Sequence, residues 1–499
     1  MLTSVKQSPL YPIANPGSMA FFGASNNISA MGTNLLMSVL DLGFKGAIYP
    51  VHPKERQVQD LEAYPDVMDL PEVPDLAVLV LPTRIVCQTM EACGRKGIRH
   101  AIVVSGGFKE VGGQGIELEK ELTGIAARYG MRFLGPNCIG VANPHHNLNT
   151  TFVPFEGRAG FVGLASQSGS FITQMFDYLA RLGVGFSTAF SVGNEANIDL
   201  VDAMEYLGAC PHTKVIGLYI EGINRGRRFV ETARSIVPHK PVVALYVGGS
   251  ETGRRAGLSH TGAMAGPDPL YDGMFRQSGV IRAQSVTELF DFCWGLGSMP
   301  SPRGPRVVIQ TQSGGPGAAA ADSCGRAGLE LPALSKETLD KLEPFVPHTG
   351  SVNNPVDLTF TKNLIHYYSE IPEVLLQEGN ADTLLMYLFI APEVVRRALR
   401  SKGMSETQMA QTNRKLMDSQ AQSISRLLEI QDKPVIGYTF NSADDPTVRS
   451  VLDRGVPVFT GPDRAARTIQ AMVQYTRLRG RILAHSGQPD PSLPKDGDN

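Results

Sequence analysis

The chain has 499 residues, 42% hydrophobic and 19% charged, with a formal net charge of −2 and an isoelectric point near 6.6. This length predicts roughly three domains. The near-neutral charge argues against nucleic acid or an anionic membrane surface as a partner. The six cysteines form no C-x-x-C pair, which indicates neither a disulfide framework nor a metal site and fits a cytoplasmic protein. Apolar runs such as 76–81 and 384–390 are far shorter than the ~20 residues of a membrane span.

From residue 19 to 143, short apolar runs alternate with amphipathic helical segments. Strands are predicted at 20–22, 47–50, 76–81, 100–104 and 132–134, and helices at 34–42, 85–96 and 115–129. This pattern is typical of a parallel sheet covered on both faces. The first strand leads into a glycine and hydroxyl loop at 23–32, where a phosphate would rest on amides at a helix N-terminus. The loop lacks G-x-G-x-x-G, so an NAD site is not predicted, and a purely structural turn is the alternative.

Two further units begin in the same way, with a strand, the letters Q-S-G and a helix. These openings lie at 160–170 and 307–317 and indicate an internal structural repeat. Each would aim backbone amides and a positive helix end at an anion, although any doubly wound domain also needs such a turn. Linkers are expected at 143–158 and 298–305, and the composition after Gly480 predicts a disordered tail. The predicted divisions are 1–148, 155–298, 305–480 and 481–499.

A single histidine, His260, lies among small residues in the segment 257–266. The glycines and hydroxyl residues around it would let a phosphate approach the ring without meeting large side chains. A neutral imidazole is nucleophilic near pH 7, so a phosphohistidine is one outcome. The alternative is a turn whose histidine only caps a helix.

The chain contains several motifs of one enzyme family: Ser105-Gly106-Gly107-Phe108-Lys109-Glu110, Gly135-Pro136-Asn137-Cys138, Ser166-Gln167-Ser168-Gly169, Ser191-Val192-Gly193-Asn194, Tyr219-Ile220-Glu221-Gly222-Ile223, Ser259-His260-Thr261-Gly262 and Asn354-Pro355-Val356-Asp357-Leu358. With them the sequence resembles the CoA-binding, phosphohistidine-bearing alpha subunit of the ADP-forming (NDP-forming) acyl-CoA synthetases, relatives of succinyl-CoA synthetase. The resemblance implies a Rossmann-like CoA-binding domain followed by two flavodoxin-like domains. It also implies conversion of acyl-CoA, phosphate and NDP into acid, CoA and NTP through an acyl phosphate and a phosphohistidine.

The resemblance implies a role for each site residue. His260 would take the phosphoryl group while Glu221 holds its other ring nitrogen, the alternative for Glu221 being a carboxylate that caps a turn. Two cradles would bind phosphoryl oxygens: Ser168, Gly169 and Ser170, and Ser313, Gly314 and Gly315. CoA would be bound by Gly23, Ser25, Asn26, Asn27, Lys54, Asn137 and Cys138. Cys138 is expected to line the thiol end rather than act as a nucleophile.

The resemblance further implies a separate ATP-grasp beta subunit that binds ATP or ADP with Mg²⁺, and a small carboxylic acid as substrate. The polar segment 394–430 is either an arm that docks this partner or a solvated excursion. Two other functions remain open at this point. One is a non-catalytic CoA sensor or scaffold of the same fold, and the other, made remote by the missing fingerprint, is an NAD-type oxidoreductase.

Overall fold

A computed structural model describes residues 4–155, 158–253, 266–361, 364–388, 397, 399–430 and 432–486. The chain divides into two compact units, Met1–Ala180 with Val184–Leu289 and Arg181–Gly183 with Phe290–Asn499. The described strands form sheets of five, seven and five strands and one two-stranded hairpin. Helices lie between successive strands, so the predicted α/β class is confirmed.

The first sheet contains five parallel strands in the order β2-β1-β5-β6-β7. They are β1 Ser18–Phe22, β2 Ala47–Val51, β5 Leu76–Leu79, β6 His100–Val103 and β7 Arg132–Leu134. The hairpin pairs β3 Gln57–Val58 with β4 Leu61–Glu62. The helices are α1 Tyr11–Ala14, α2 Met31–Asp41, α3 Thr83–Lys96 and α4 Gln114–Tyr129. Every residue of β1 and β5 is buried, which explains why these runs are apolar without alternation.

The second sheet has seven strands in the order β14-β13-β12-β10-β11-β8-β9. Its parallel strands are β10 Val162–Ser166, β11 Phe186–Ser191, β12 Val215–Ile220, β13 Val242–Tyr246 and β14 Ile281–Ala283. The helices are α5 Gly169–Arg181, α6 Leu200–Ala209, α7 Gly226–Ile236, α8 Asp268–Ser278 and α9 Val286–Ser298. The N-terminus of α6 is fixed by a capping box in which Asp199 and Asp202 each accept the other's backbone N–H.

Two short strands extend this sheet at its β11 edge. The strand β8, Val141–Asn143, pairs antiparallel with β11, and β9, Leu148–Asn149, pairs antiparallel with β8. The sequence predicts a linker at residues 143–158 and a second domain that starts at residue 155. In the structure the second sheet already includes these strands, so part of the expected linker is sheet.

The third sheet has five parallel strands in the order β16-β15-β17-β18-β19. They are β15 Val307–Thr311, β16 Val356–Asp357, β17 Thr383–Tyr387, β18 Val435–Thr439 and β19 Val458–Thr460. The helices are α10 Gly314–Arg326, α11 Lys336–Leu342, α12 Leu364–Tyr368, α13 Glu370–Gln377, α14 Glu406–Ile430, α15 Pro446–Leu452 and α16 Pro462–Ser486. When only the parallel strands of each sheet are counted, all three sheets have the order 2-1-3-4-5 of doubly wound folds.

The two longest helices, α14 and α16, have 25 residues each. In α14 the buried residues Met417, Ala421 and Ile424 lie on one face, so much of the polar segment 394–430 is a helix packed within the second unit. The helix α16 ends at Ser486, which makes residues 481–486 helical although they were assigned to the disordered tail. Among the described residues, no helix combines the length and the apolar character that crossing a bilayer requires.

The turn after β1 requires glycine. Gly23 has a φ of +93°, and a Cβ atom there would lie 1.9 Å from the carbonyl oxygen of Val80. A Cβ atom on Gly32, in the first turn of α2, would lie 2.2 Å from the carbonyl oxygen of Gly23. The backbones of β1, β5 and α2 therefore approach each other too closely for any side chain at these two positions.

We predict that Gly23→Ala destabilises the protein more than Gly43→Ala does. Gly43 also has a positive φ, +77°, but nothing lies within 4 Å of a Cβ atom there, so its substitution adds only backbone strain of ~1 kcal/mol. Gly23→Ala adds a clash with backbone, which costs roughly 1–3 kcal/mol more. Urea denaturation of both variants measures the difference, and equal losses would contradict the close approach of these backbones.

Candidate functional site

The loop after β1 is closed by its own hydroxyl groups. The backbone N–H of Ser25 donates to Thr33 Oγ1 at 3.1 Å, and that hydroxyl donates back to the Ser25 carbonyl at 3.0 Å. Ser25 Oγ accepts the N–H of Asn27 at 3.2 Å. The N-cap residue of α2, Ala30, provides no side-chain cap, so the helix start is left accessible to an anion.

Asn26 is held by the neighbouring hairpin segment. Its side-chain amide donates to Glu55 Oε2 at 2.6 Å and to the Gln57 carbonyl at 2.9 Å, and its oxygen accepts the N–H of Gln59 at 3.0 Å. Its backbone N–H also donates to Glu55, at 3.2 Å. The CoA contact predicted for Asn26 would therefore compete with these hydrogen bonds. Lys54, also predicted to contact CoA, is exposed.

One cavity of about 540 Å³ brings several predicted site residues together within the first unit. Asn137 and Cys138, expected at the thiol end of CoA, line it. Ser168, Gly169 and Ser170, expected to bind phosphate, line it as well. The cavity also contacts the ends of β5 and β6 and the exposed side chains of Met31 and Phe152. Its walls thus join the carboxyl edge of the first sheet to the start of α5.

Cys138 is a lining thiol. The residue is 3% exposed, and its Sγ–H group donates to the Val103 carbonyl at 3.4 Å. Burial raises the pKa of this thiol to about 12, so it stays protonated near neutral pH. A protonated thiol is a poor nucleophile, in agreement with the expected lining role.

The cradle at the start of α5 is built by a strand-end hydroxyl. Ser166 Oγ donates to the Ser168 carbonyl at 2.7 Å and accepts the Ser168 N–H at 3.1 Å. The helix begins at Gly169, where a Cβ atom would lie 2.8 Å from Ile139. The hydroxyls of Ser168 and Ser170 are 3.5 Å apart. The hydroxyl groups and the positive end of the helix thus meet at the cavity wall.

The third sheet repeats this arrangement in the second unit. Thr311 Oγ1 donates to the Ser313 carbonyl at 2.8 Å and accepts the Ser313 N–H at 3.2 Å. The helix α10 begins at Gly314 and has no side-chain cap from Ser313. Ser313, Gly314 and Gly315 therefore have the local geometry of the first cradle, as the repeated Q-S-G letters predict.

Glu221 follows the end of β12 and is 8% exposed. Its backbone N–H donates to the side-chain oxygen of Gln167 at 2.5 Å. Gln167 directly precedes Ser168 of the first cradle and lines the same cavity. The structure therefore places the Glu221 turn directly beside the phosphate cradle.

His260 lies outside the described residues, but the residues that flank its segment are described. Tyr246, the last residue of β13, donates its hydroxyl to the Gly266 carbonyl at 2.7 Å. Its ring stacks on Tyr271 with centroids 3.6 Å apart. The Tyr271 hydroxyl accepts the N–H of Ile223 at 3.1 Å. This tyrosine pair connects Gly266, which directly follows segment 254–265, to the turn after Glu221.

A polar network beside the cavity is not predicted from the sequence as part of the site, although three of its residues, Lys109, Glu110 and Asn194, belong to the family motifs. The side-chain amide of Asn194 donates to Glu110 at 2.6 Å and to Glu119 at 3.0 Å. The backbone carbonyl of Asn194 accepts a hydrogen bond from the Lys109 ammonium group. Burial alone would raise the pKa of Glu110, but hydrogen bonds from Asn194 and the N–H groups of residues 107 and 108 outweigh it and lower that pKa. The network fixes the 105–110 loop against the loop after β11. Among the described residues, no three His, Cys, Asp or Glu side chains cluster as metal ligands.

Comparison with known proteins agrees with this geometry. Residues 17–144 match the family model of a CoA binding domain, and residues 159–296 match that of a succinyl-CoA ligase like flavodoxin domain. The acetate–CoA ligase [ADP-forming] II subunit alpha of Pyrococcus furiosus is 36% identical over 468 residues, 93% of this chain and 98% of the relative. The acetate–CoA ligase [ADP-forming] I of Archaeoglobus fulgidus is 36% identical over 466 residues, 93% of this chain and 64% of that protein.

A solved structure is similar over nearly the whole chain. It is the dinucleotide forming acetyl-coenzyme A synthetase 1 of Ca. Korarchaeum cryptofilum in complex with phosphate and ADP, with a TM-score of 0.84 and 31% identity. The similarity covers 95% of this chain and 98% of that one. Because the relatives are ligases, they support the catalytic function and not the CoA-sensing alternative. On this combination of sequence, fold and site, the chain belongs to the family of ADP-forming acyl-CoA ligases.

Proposed function

We propose that this chain binds CoA and carries the phosphoryl group in an NDP-forming acid–CoA ligase. The observation that supports this most is the single cavity lined both by Asn137 and Cys138 and by Ser168–Ser170. A thioester carbonyl and a phosphate must meet for an acyl phosphate to form. One cavity with a thiol end and an anion cradle meets that need.

The proposed reaction has three steps. A phosphate oxygen attacks the thioester carbonyl, the C–S bond breaks, and CoA leaves as its thiol. A ring nitrogen of His260 then attacks phosphorus, which releases the carboxylate and forms a P–N bond. Finally the phosphoryl group passes from His260 to the terminal phosphate of NDP, giving NTP and free histidine. The reverse sequence makes acyl-CoA from acid, CoA and NTP.

In this proposal the predicted residues either stabilise the charge of the reacting groups or orient those groups. Glu221 accepts the N–H of the imidazole and stabilises the ring as it becomes cationic. The serines and amides of the first cradle bind the phosphoryl oxygens at the start of α5, and Ser313–Gly315 provide an equivalent cradle in the second unit. CoA would lie along the loop after β1, where Gly23 and Gly32 let backbone amides approach its phosphates.

The nucleotide step would take place on a separate ATP-grasp partner that holds ATP or ADP with Mg²⁺. Two observations support this. The Pyrococcus relative, which matches this chain in length, is named an alpha subunit, and the Archaeoglobus relative extends well beyond the matched part. The substrate would be a small carboxylic acid. The cytoplasm is the proposed compartment because all six cysteines are free thiols.

We predict that acyl-CoA and radioactive phosphate label this chain with an acid-labile, base-stable phosphate, and that His260→Ala abolishes the label. The imidazole is the acceptor, and alanine has no nucleophile to replace it. The measurement uses acetyl-CoA first and then a panel of longer acyl-CoA thioesters, without a partner. Labelling from ATP should require the partner.

His239→Ala is the matched control, since His239 lies at the end of α7 and its backbone N–H bonds the Ile236 carbonyl. The His239→Ala variant should be labelled with phosphate to the same extent as the natural chain. Full labelling of His260→Ala would show that another residue accepts the phosphate, and the proposed function would be wrong.

We also predict that Glu221→Gln slows phosphoryl transfer more than Ser168→Ala does. Loss of an orienting carboxylate typically costs 10²- to 10⁴-fold in rate. Ser168 is one donor among several, so its loss should cost about 1–3 kcal/mol in the phosphorylated state. Single-turnover labelling, with calorimetry to confirm unchanged CoA affinity, gives both values. The opposite ranking would assign the main catalytic effect to the helix-end cradle.

A further inference from the structure

The side chain of Gln167 uses every hydrogen-bonding position of its amide. Its oxygen accepts the N–H groups of Glu221 at 2.5 Å and Gly222 at 3.0 Å. Its nitrogen donates to the Gly222 carbonyl at 2.8 Å and to Glu195 Oε2 at 2.8 Å. Donors face the oxygen and acceptors face the nitrogen, so the amide has one satisfactory orientation. Gln167 therefore holds three backbone groups of the turn after β12, the N–H groups of Glu221 and Gly222 and the carbonyl of Gly222.

Glu195 fixes the other side of Gln167. Its Oε1 atom accepts the N–H of Leu200, the first residue of α6, at 2.8 Å. The backbone of Glu195 is in the left-handed region, with a φ of +56°, which is uncommon for a residue other than glycine. A conformation of this kind persists only where surrounding contacts hold it. The carboxylate thus connects the start of α6 to the Gln167 amide.

The charged and titratable groups that face Glu195 include Asp199, Lys109 and Tyr271. Asp199 opposes its ionisation and Lys109 favours it. Asp199 is itself paired with Arg225, which reduces its effect. The side-chain amide of Asn224 lies 3.4 Å from Glu195 Oε2. Burial is the largest influence and raises the pKa of Glu195 to about 7.

We propose that Gln167 and Glu195 form a positioning pair for the Glu221–Gly222 turn, and that phosphoryl transfer is fastest when Glu195 is ionised. This inference rests on the proposed function of Glu221. Neither residue touches the phosphoryl group in this proposal. They act by holding the backbone from which the Glu221 carboxylate extends.

The physical reason lies in the two oxygens of Glu195. In the ionised form, both accept hydrogen bonds, one from the Leu200 N–H and one from Gln167. Protonation turns one oxygen into a donor that faces another donor, so one of these bonds is lost. If the bond to Gln167 is lost, its amide can rotate and release the Glu221 and Gly222 N–H groups. The turn should therefore be held less firmly below pH 7 than above it.

The test compares the natural chain with Glu195→Gln, a neutral side chain of the same shape. Single-turnover labelling from acetyl-CoA and phosphate is measured from pH 5.5 to 8.5. The ratio of the natural rate to the variant rate should rise from about 1 at pH 5.5 to about 10 at pH 8.5. The ratio removes pH effects that both chains share. CoA affinity should not change.

Two further variants separate positioning from a general structural effect. Gln167→Met has a similar length but cannot make the four hydrogen bonds, so it should be slow at every pH. Adding Glu195→Gln to it should slow it no further, because the carboxylate acts through the amide. Glu231→Gln is the matched control, since the exposed Glu231 on α7 forms an ion pair with the exposed Arg227, and its ratio should stay near 1.

A second measurement does not depend on catalysis. Hydrogen exchange of the peptide around residues 219–225 at pH 8 should be about 10-fold faster in Glu195→Gln than in the natural chain, and the difference should shrink at pH 6. Unchanged exchange, or a rate ratio independent of pH, would overturn the positioning pair. If acyl-CoA labels neither chain, the proposed function fails, and the exchange result still decides whether Glu195 positions the turn.

Discussion

The site depends on one constraint of parallel sheets: the carboxyl ends of neighbouring strands lie on one edge, and a crevice opens where the strand order reverses. In each large sheet the first parallel strand lies next to this reversal. Each of these strands leads into a turn rich in glycine or serine, at Gly23, Ser168 and Ser313. The same topology therefore creates three similar turns at helix starts, and the first two belong to one compact unit, where Ser168 of the second turn and Met31 after the first line one cavity.

Much of this architecture could be predicted from the sequence, because buried parallel strands are continuous apolar runs that need no partner to be recognised. The strands β8 and β9 could not, since they have three and two residues and pair only through tertiary structure. The end of α16 was also misplaced. The polar composition after Gly480 favours disorder, yet Ile482 and Leu483 are buried and continue the apolar face of the helix.

The site residues likewise divide into those that sequence motifs predict and those that only the folded chain brings together. Motif residues such as Asn137, Cys138 and Ser168 were singled out from the sequence and line one cavity. Gln167 and Glu195 were not assigned a role, because their partners come from two strand ends and a helix start that sequence spacing does not connect. The hydrogen bonds between Asn26 and Glu55 were missed for the same reason. Motifs predict which backbone turns meet, whereas polar side-chain networks require the folded chain.

The antiparallel strand β8 has a consequence for dissecting this protein. It covers the outer edge of β11, so the backbone N–H and C=O groups of that edge are paired by residues from the end of the first domain. A truncated chain that starts at residue 155 would present β11 as an uncovered edge, and uncovered edges promote aggregation. A fragment that contains only the flavodoxin-like domains is therefore expected to aggregate unless it begins before Val141.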